Sequence, residues 1–297
     1  MRPMLRPGLN VLRRDVRTLQ LGLEWPGLAA LQASASVRAV LAAVDGFRDV
    51  SGVVLAAEAA GITTDDALQA VEALLDAGAL VDQSAVRPGH VDDSTWAAMW
   101  LLAGPAGTAH DVLSSRRQVR VWVTGSGRIS AMVRSLVAAE QVTVTDTPAR
   151  STLAVVAADM EPPRAAVDEA MRLGVPFLCV GVRELVGLVG PFVVPGRTAC
   201  LRCVDLSRSQ VDPCWTTLVD SAQTTPAKTH SCPPSLVAMT AGYAAQEVVL
   251  WASGALPVCC DNVVEIPHGL GTVQTVGFQQ HPHCGCGWGT EHETMGA

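Results

Sequence analysis

Val119-Arg120-Val121-Trp122-Val123-Thr124-Gly125-Ser126-Gly127 reads as an apolar strand running into a tight glycine turn. Ile129 to Glu140 continues with apolar residues at helical spacing, and Val142 to Val144 returns as a strand that ends at Asp146. A strand, loop, helix and strand in that order make one unit of a parallel sheet. Leu153 to Ala158 is a further apolar strand, ending at Asp159. A helix around Arg164 to Leu173, a strand at Pro176 to Val180 and a long apolar helix from Ser235 to Trp251 follow. Two strands close the pattern, near Asn262 to Ile266 and Thr272 to Phe278. Residues 119–297 are therefore expected to form an α/β domain of Rossmann-like type.

Four cysteines stand inside that region as Cys200-Leu201-Arg202-Cys203 and Cys284-Gly285-Cys286. A Cys-x-x-Cys turn converges two thiolates on one metal, and a distant second pair completes a closed Cys₄ zinc site. All four ligands would be protein sulfurs, so such a zinc is structural and leaves no position open to water or substrate. Gly285 permits the sharp bend between the last two sulfurs. His281 or His283 in place of one sulfur is an alternative. Four unrelated thiols, or a disulfide pair, is the plain one.

Upstream, residues 1–85 read as a separate module. Leu9 to Asp15 and Thr18 to Leu23 alternate as two strands around an Arg13-Arg14-Asp15 turn, and Gly27 to Gln32 is a third, shorter strand. Val37, Val40, Leu41 and Val44 share one helical face; Val50 to Ala60 is a second helix. Thr63 caps a third, with Leu68, Val71, Leu74 and Leu75 as its apolar stripe, and Leu80-Val81 returns as a wing strand. A hairpin with three helices is the layout of a small winged helix-turn-helix. Residues 86–118 are expected to be a connector with one short helix, docked through Trp96 and Trp100.

Composition excludes several functions. The net charge of −7 does not favour a grip on nucleic acid phosphates, and the third helix carries Asp65, Asp66, Glu72 and Asp76 with no cation. No stretch suits a membrane span or a signal peptide. Nine cysteines, an odd count, fit thiols in a reducing compartment, so a cytoplasmic protein is expected. Lys228 is the one lysine, which leaves a single candidate for any lysine-dependent chemistry.

The run from Pro195-Gly196-Arg197-Thr198-Ala199 into Cys200 to Cys203, with Gln246-Glu247 on the long helix and the final cysteine pair, resembles the ThiF-like superfamily. That superfamily includes ubiquitin-activating enzymes and the adenylyltransferases of molybdopterin and thiamine synthesis. A narrower resemblance is to the ThiF-like cyclodehydratase partner proteins of azole-containing ribosomal peptide pathways. It rests on Cys-x-x-Cys-x-Asp-Leu-x-Arg at Cys200 to Arg208, on Asp212-Pro213-Cys214-Trp215, and on His-Pro-x-Cys-Gly-Cys at His281 to Cys286. The N-terminal module resembles PqqD, the winged helix known as a RiPP recognition element. The resemblance implies a scaffold that binds a precursor leader peptide and presents it to a separate YcaO-type ATP-dependent cyclodehydratase. Leu28, Leu31, Leu68, Val71 and Leu75 are the expected peptide-binding lining. ThiF-like folds commonly dimerise, so a homodimer is possible.

Departures from the family bear on catalysis. Active members cradle ATP with Gly-x-Gly-Gly-x-Gly, whereas this chain has Gly125-Ser126-Gly127-Arg128-Ile129-Ser130. Asp146 stands where a ribose-binding acid would come, and Asp159 matches the family's metal-binding aspartate. Only residues 147–158 separate the two, too few for the arginine- and lysine-bearing segment that an active site needs. The expectation is a retained fold with an eroded adenylation site, no ATP cofactor, and no chemistry by this chain alone. The alternative is an ATP-dependent adenylyltransferase working through Asp159, with Gly125, Gly127 and Asp146 holding the nucleotide. Cys232, two residues from His230 and close to a helix start, is a candidate nucleophile beside the plainer reading of a packing thiol.

Overall fold

The structure is a computed structural model and describes residues 1–23, 29–83, 87–104, 107–224, 232–269 and 271–287. The chain divides into two compact units, 1–114 and 115–297.

In the first unit, β1 (Pro3–Leu5) precedes the hairpin β2 (Val11–Arg13) and β3 (Thr18–Leu21), which is joined by β4 (Ala29–Gln32) in the antiparallel order β2-β3-β4. Three helices follow: α1 (Ala35–Ala43), α2 (Val50–Ala59) and α3 (Thr64–Asp76). Each starts on a side chain that accepts a first-turn N–H. Ser34 takes it from Val37, Asp49 from Gly52 and Thr63 from Asp66. Their apolar faces meet in one core with Leu19 and Leu21 of the hairpin. β5 (Leu80–Asp82) follows α3, and its partner is β1. The strand expected at Leu80-Val81 forms, and its partner β1 lies outside any alternating run, so it offers no periodic signal.

Residues 87–118 hold two helices where one was expected: α4 (Asp93–Leu102) and α5 (Ala109–Gln118). Trp96 and Trp100, ring centroids 6.3 Å apart and edge to face, pack with Val81, Val91, Met99, Ala109 and Leu113. The two tryptophans thus join a core within the first unit.

The second unit is a seven-stranded mixed sheet. Its elements are β6 (Arg120–Thr124), α6 (Arg128–Ala139), β7 (Thr143–Thr145), β8 (Leu153–Ala157), α7 (Arg164–Arg172), β9 (Phe177–Arg183), β10 (Val186–Val193), α8 (Leu201–Val211), α9 (Trp215–Thr224), α10 (Pro234–Ala252), β11 (Asn262–Pro267) and β12 (Gln274–Gly277). The order across the sheet is β12-β11-β10-β9-β8-β6-β7. β7, β6, β8 and β9 are parallel, as the strand–helix alternation predicts; β10, β11 and β12 add antiparallel. The strand expected at Pro176 to Val180 is longer and returns as β10, a run so continuously buried that it offers no alternation to read.

On one side of the sheet, α6 and α10 pack over β6, β8, β9 and β10. α10 buries Leu236, Val237, Ala241, Ala244, Ala245 and Val248 in this core, leaves Met239 exposed on its other side, and carries one buried carboxylate. Glu247 accepts a 2.7 Å bond from the Cys259 N–H, and burial pushes its carboxyl above the ordinary value. Cys259, Cys260 and Cys179 are buried in the core as expected. A raised folded pKa means that the charged form is the one disfavoured by folding. Glu247 therefore costs stability as pH rises through its unfolded value of about 4.3, until it passes the folded value. Glu247→Gln keeps an acceptor for Cys259 without the charge. It should raise Tm at pH 8 by about 2–4 °C per kcal/mol recovered, and by less at pH 4, as thermal melts at both pH values would record.

Candidate metal centre and the loop before α6

Cys200 is the N-cap residue of α8 and Cys203 lies in its first turn, so the Cys-x-x-Cys is the start of a helix. The second pair reaches them on the tail after β12, where Gly285 has φ +77° and turns the chain back between two sulfurs. The four Sγ atoms all lie within 4.8 Å of one another. Individual separations are 3.4 Å for Cys200–Cys284, 3.4 Å for Cys203–Cys286 and 3.7 Å for Cys200–Cys203. A tetrahedral ion with sulfurs at about 2.3 Å sets them roughly 3.8 Å apart, so this donor set fits one metal ion with little adjustment.

The surroundings suit thiolates bound to a cation. Burial, with the neighbouring thiols, raises Cys200, and it pushes Cys286 up to about 12. Cys203 is held below its ordinary value, against burial, by backbone groups of His281 and Cys200; the His281 N–H donates to its Sγ at 3.3 Å. The His281 ring is used elsewhere, with Nδ1 accepting from the His283 N–H at 3.2 Å and Nε2 meeting Gln210 Nε2 at 3.0 Å. The donors drawn together are four sulfurs, and the histidine alternative is not the one the geometry brings together.

At the other end of the unit, the Gly125–Gly127 turn approaches its neighbours so closely that side chains are excluded. A Cβ on Gly125 would meet the Ala157 carbonyl at 1.9 Å, and one on Gly127 would meet the Asp159 carboxyl at 2.4 Å. Asp159 occupies the helix start. Its two oxygens accept the first N–H groups of α6, from Arg128 at 3.0 Å and Ile129 at 2.9 Å. A helix N-terminus is where an anion would bind, and here a carboxylate of the chain is already seated there.

Asp146, the expected ribose acid, is exposed and paired at 2.9 Å with Arg134, whose guanidinium also donates to the Val123 carbonyl. The Arg128 guanidinium reaches across to the Cys232 carbonyl. The Cys232 thiol is raised by burial and further by the Asp159 charge, with Arg128 opposing. A nucleophile needs the opposite shift. Lys228 and His230 lie outside the described residues.

Asp205, Arg208 and Trp215, which the motif from Cys200 to Trp215 contains without assigning them a role, belong to one cluster. Asp205 accepts from Trp215 Nε1 at 3.0 Å and from Arg164 at 3.0 Å, and Arg164 also bonds Glu161 at 3.2 Å. Arg183 pairs with Glu161. The guanidinium carbons of Arg183 and Arg208 sit 4.7 and 5.0 Å from the centroid of the Trp215 ring. The i, i+3 spacing of Asp205 and Arg208, with Trp215 in the next helix, was the available signal.

Of the expected peptide lining, Leu68 is 46% exposed, Leu75 and Leu31 are half-buried against the first unit's core, and Leu28 lies outside the described residues. Val71 is 4% exposed and belongs to that core, because it sits on the same face of α3 as Ala67, Ala70 and Leu74. β4 is an edge strand. The Ala33 N–H donates to the Arg17 carbonyl at 2.7 Å, so by antiparallel alternation Leu31 and Ala29 also bond towards β3. Ala30 and Gln32 then turn their N–H groups away from the sheet.

No family model and no curated protein sequence matches the chain. Among solved structures it resembles a heterocyclase in complex with substrate and cofactor, with a TM-score of 0.70 and 18% identity over 96% of this chain and 39% of that one. The heterocyclase TruD gives a TM-score of 0.69 at 18% identity over 96% and 42% of the two chains. MccB of E. coli with selenomethionine MccA gives 0.63 at 13% identity over 97% and 100%. The chain thus spans about two fifths of the two heterocyclases and the whole of MccB. These likenesses establish the shared fold. Among the described residues no helix is long and apolar enough to cross a membrane.

Proposed function

We propose that this chain is a cytoplasmic scaffold of azole-forming ribosomal peptide biosynthesis. It binds a precursor leader peptide and presents it to a separate YcaO-type cyclodehydratase. In this reading residues 1–85 are a PqqD-like winged-helix recognition domain, 86–118 a connector and 119–297 a ThiF-like domain. A structural zinc on Cys200, Cys203, Cys284 and Cys286 clasps the tail to α8 and supplies folding energy.

The observation that carries the proposal is the open edge of β4, with the outward N–H groups of Ala30 and Gln32; in the same unit α3 leaves Leu68 exposed. An extended peptide adding to that edge gains main-chain hydrogen bonds, while apolar pockets select its side chains. The likeness to a heterocyclase and to MccB with MccA is consistent with this. The test uses full-length protein and 12-residue peptides selected on it from a displayed random library. A bound peptide should slow amide exchange at Ala30 and Gln32, and Ala30→Pro, which removes an outward donor, should weaken it at least tenfold. Binding unchanged by that substitution, with folding confirmed by circular dichroism, rules the edge out.

Adenylation is the competing reading, and the seated Asp159 carboxylate argues against it. ATP with Mg²⁺ should show no saturable micromolar heat of binding and no pyrophosphate exchange. Asp159→Ala should act as the loss of a helix cap, costing about 0.5–2 kcal/mol in chemical denaturation. Exchange present in the unaltered protein and abolished by Asp159→Ala would instead make this an adenylyltransferase.

A further inference from the structure

The two cysteine pairs reach the metal centre from distant parts of the chain. Cys284 lies 84 residues from Cys200, and Cys286 lies 83 from Cys203. Each arm orders its own sulfurs: the first turn of α8 holds Cys200 and Cys203, and the Gly285 turn holds Cys284 and Cys286. Neither arm by itself fixes where it lies against the other, yet a tetrahedral ion tolerates only small errors in its sulfur positions.

One residue bonds both arms. Asp261, just before β11, accepts the Ala199 N–H on Oδ1 at 2.6 Å, and its carbonyl accepts the Phe278 N–H at 2.7 Å. Ala199 immediately precedes Cys200; at Phe278 the chain leaves β12 for the second pair. The side chain of Asp261 therefore holds the first arm and its backbone the second. Further along the tail, Gln280 bonds the Thr198 carbonyl at 3.3 Å and the His281 N–H donates to Cys203 Sγ at 3.3 Å. Both of those bonds lie beyond the tie that Asp261 makes.

Asp261 has φ +56°, in the left-handed region that non-glycine residues rarely enter, though Asp and Asn enter it more readily than most. Glycine would meet the shape of the turn at no steric cost. It would leave the N–H of Ala199, a fully buried residue, without the carboxylate that accepts it. The residue present meets both demands, a left-handed backbone and a side-chain acceptor.

We infer that Asp261 is a positioning residue of the metal centre. It supplies no ligand; it sets the two arms against one another so that four sulfurs meet on one ion. The inference rests on the zinc reading above and assigns part of the zinc affinity to a residue outside both cysteine motifs. Groups that hold metal ligands in place typically account for about 10–100-fold in affinity. Asp261 acts one residue removed from a ligand, through Ala199, which places its share near the lower figure.

The test is the zinc affinity of the full-length protein, measured by competition with a chromophoric chelator. Asp261→Gly keeps the left-handed backbone and removes the acceptor; Asp261→Asn keeps the backbone and a side-chain oxygen. Affinity should fall about tenfold or more in Asp261→Gly and stay within about threefold in Asp261→Asn. A role in the fold alone would lower the Tm of Asp261→Gly and leave the zinc affinity of the folded protein unmoved. That result, or an equal loss of affinity in both variants, overturns the inference and leaves the zinc reading standing. An Asp261→Gly chain that stays unfolded with zinc in excess makes Asp261 a residue of the fold and overturns it too. Unaltered protein that binds no zinc overturns both.

Discussion

Cys203→Ser is expected to reduce zinc from about one ion per chain to a small residual fraction and to unfold the C-terminal half of the second unit. Cys203 is the most buried of the four ligands, and its sulfur lies within 3.4–3.7 Å of two others. The segment it secures has little else to hold it. β12 is a four-residue edge strand, mostly exposed, and the tail beyond it adds only a few bonds, such as Gln280 to the Thr198 carbonyl. Structural zinc in small sites contributes about 10–16 kcal/mol of apparent binding energy, all of it folding energy. Serine offers a poorer, harder ligand, and three remaining thiols bind the ion far less tightly. Metal analysis of native protein and a thermal melt give the answer. Ligand thiols must lose protons to bind, and burial holds Cys200 and Cys286 high, so zinc affinity should also decline as pH falls. Native protein without zinc, or with a Cys200–Cys203 disulfide, would sink the clasp.

The parts of this chain that could be read beforehand are those in which one period or one spacing carries the information. The helical face of Val37 and Val40, the cap Thr63 and the strand–turn–helix at Val119 to Glu140 all declare themselves locally. So did the four sulfurs, because no other residue type in that spacing has the same use. What could not be read depends on partners distant in sequence. Pro3–Leu5 is a strand only because Leu80–Asp82 lies against it. Val186–Val193 is buried on both faces, so its apolar run has no period to distinguish strand from helix.

The same limit shows at the sites. Val71 fits the apolar stripe of α3 as well as Leu68 does, and periodicity alone does not separate the half of a stripe that faces the core from the half that faces out. Asp159 was identified by its place after a strand, but its actual bond partners, the amides of Arg128 and Ile129, follow from the side-by-side pairing of the parallel strands β6 and β8.

Asp205→Ala should be the most damaging substitution away from the sulfurs. The Asp205 carboxylate is 14% exposed and joins the indole N–H of Trp215 on α9 to the guanidinium of Arg164 on α7. Arg164 leads on to Glu161 and Arg183, and Arg183 and Arg208 stack on Trp215 from β9 and α8. Arg208 continues to Glu265 on β11 at 3.1 Å. Alanine would leave a half-buried indole N–H without an acceptor and a half-buried guanidinium with one carboxylate fewer. Breaking a fully buried pair from one side costs about 3–5 kcal/mol; for this part-buried one about 1–3 kcal/mol is expected, which in a unit of this size lowers Tm by roughly 2–12 °C. Asp205→Asn should recover part of the loss, since its amide oxygen still accepts. Burial raises the Asp205 carboxyl, so its ionisation is opposed by folding and its contribution declines as pH rises from about 3.9 through the folded value. The Asn variant lacks that decline, and its deficit should be smaller at pH 8 than at pH 4. Zinc content should stay near one in both variants, which separates this cluster from the clasp. A Tm within about 2 °C of the unaltered protein for Asp205→Ala would mean that the Trp215 cluster contributes almost nothing to the fold.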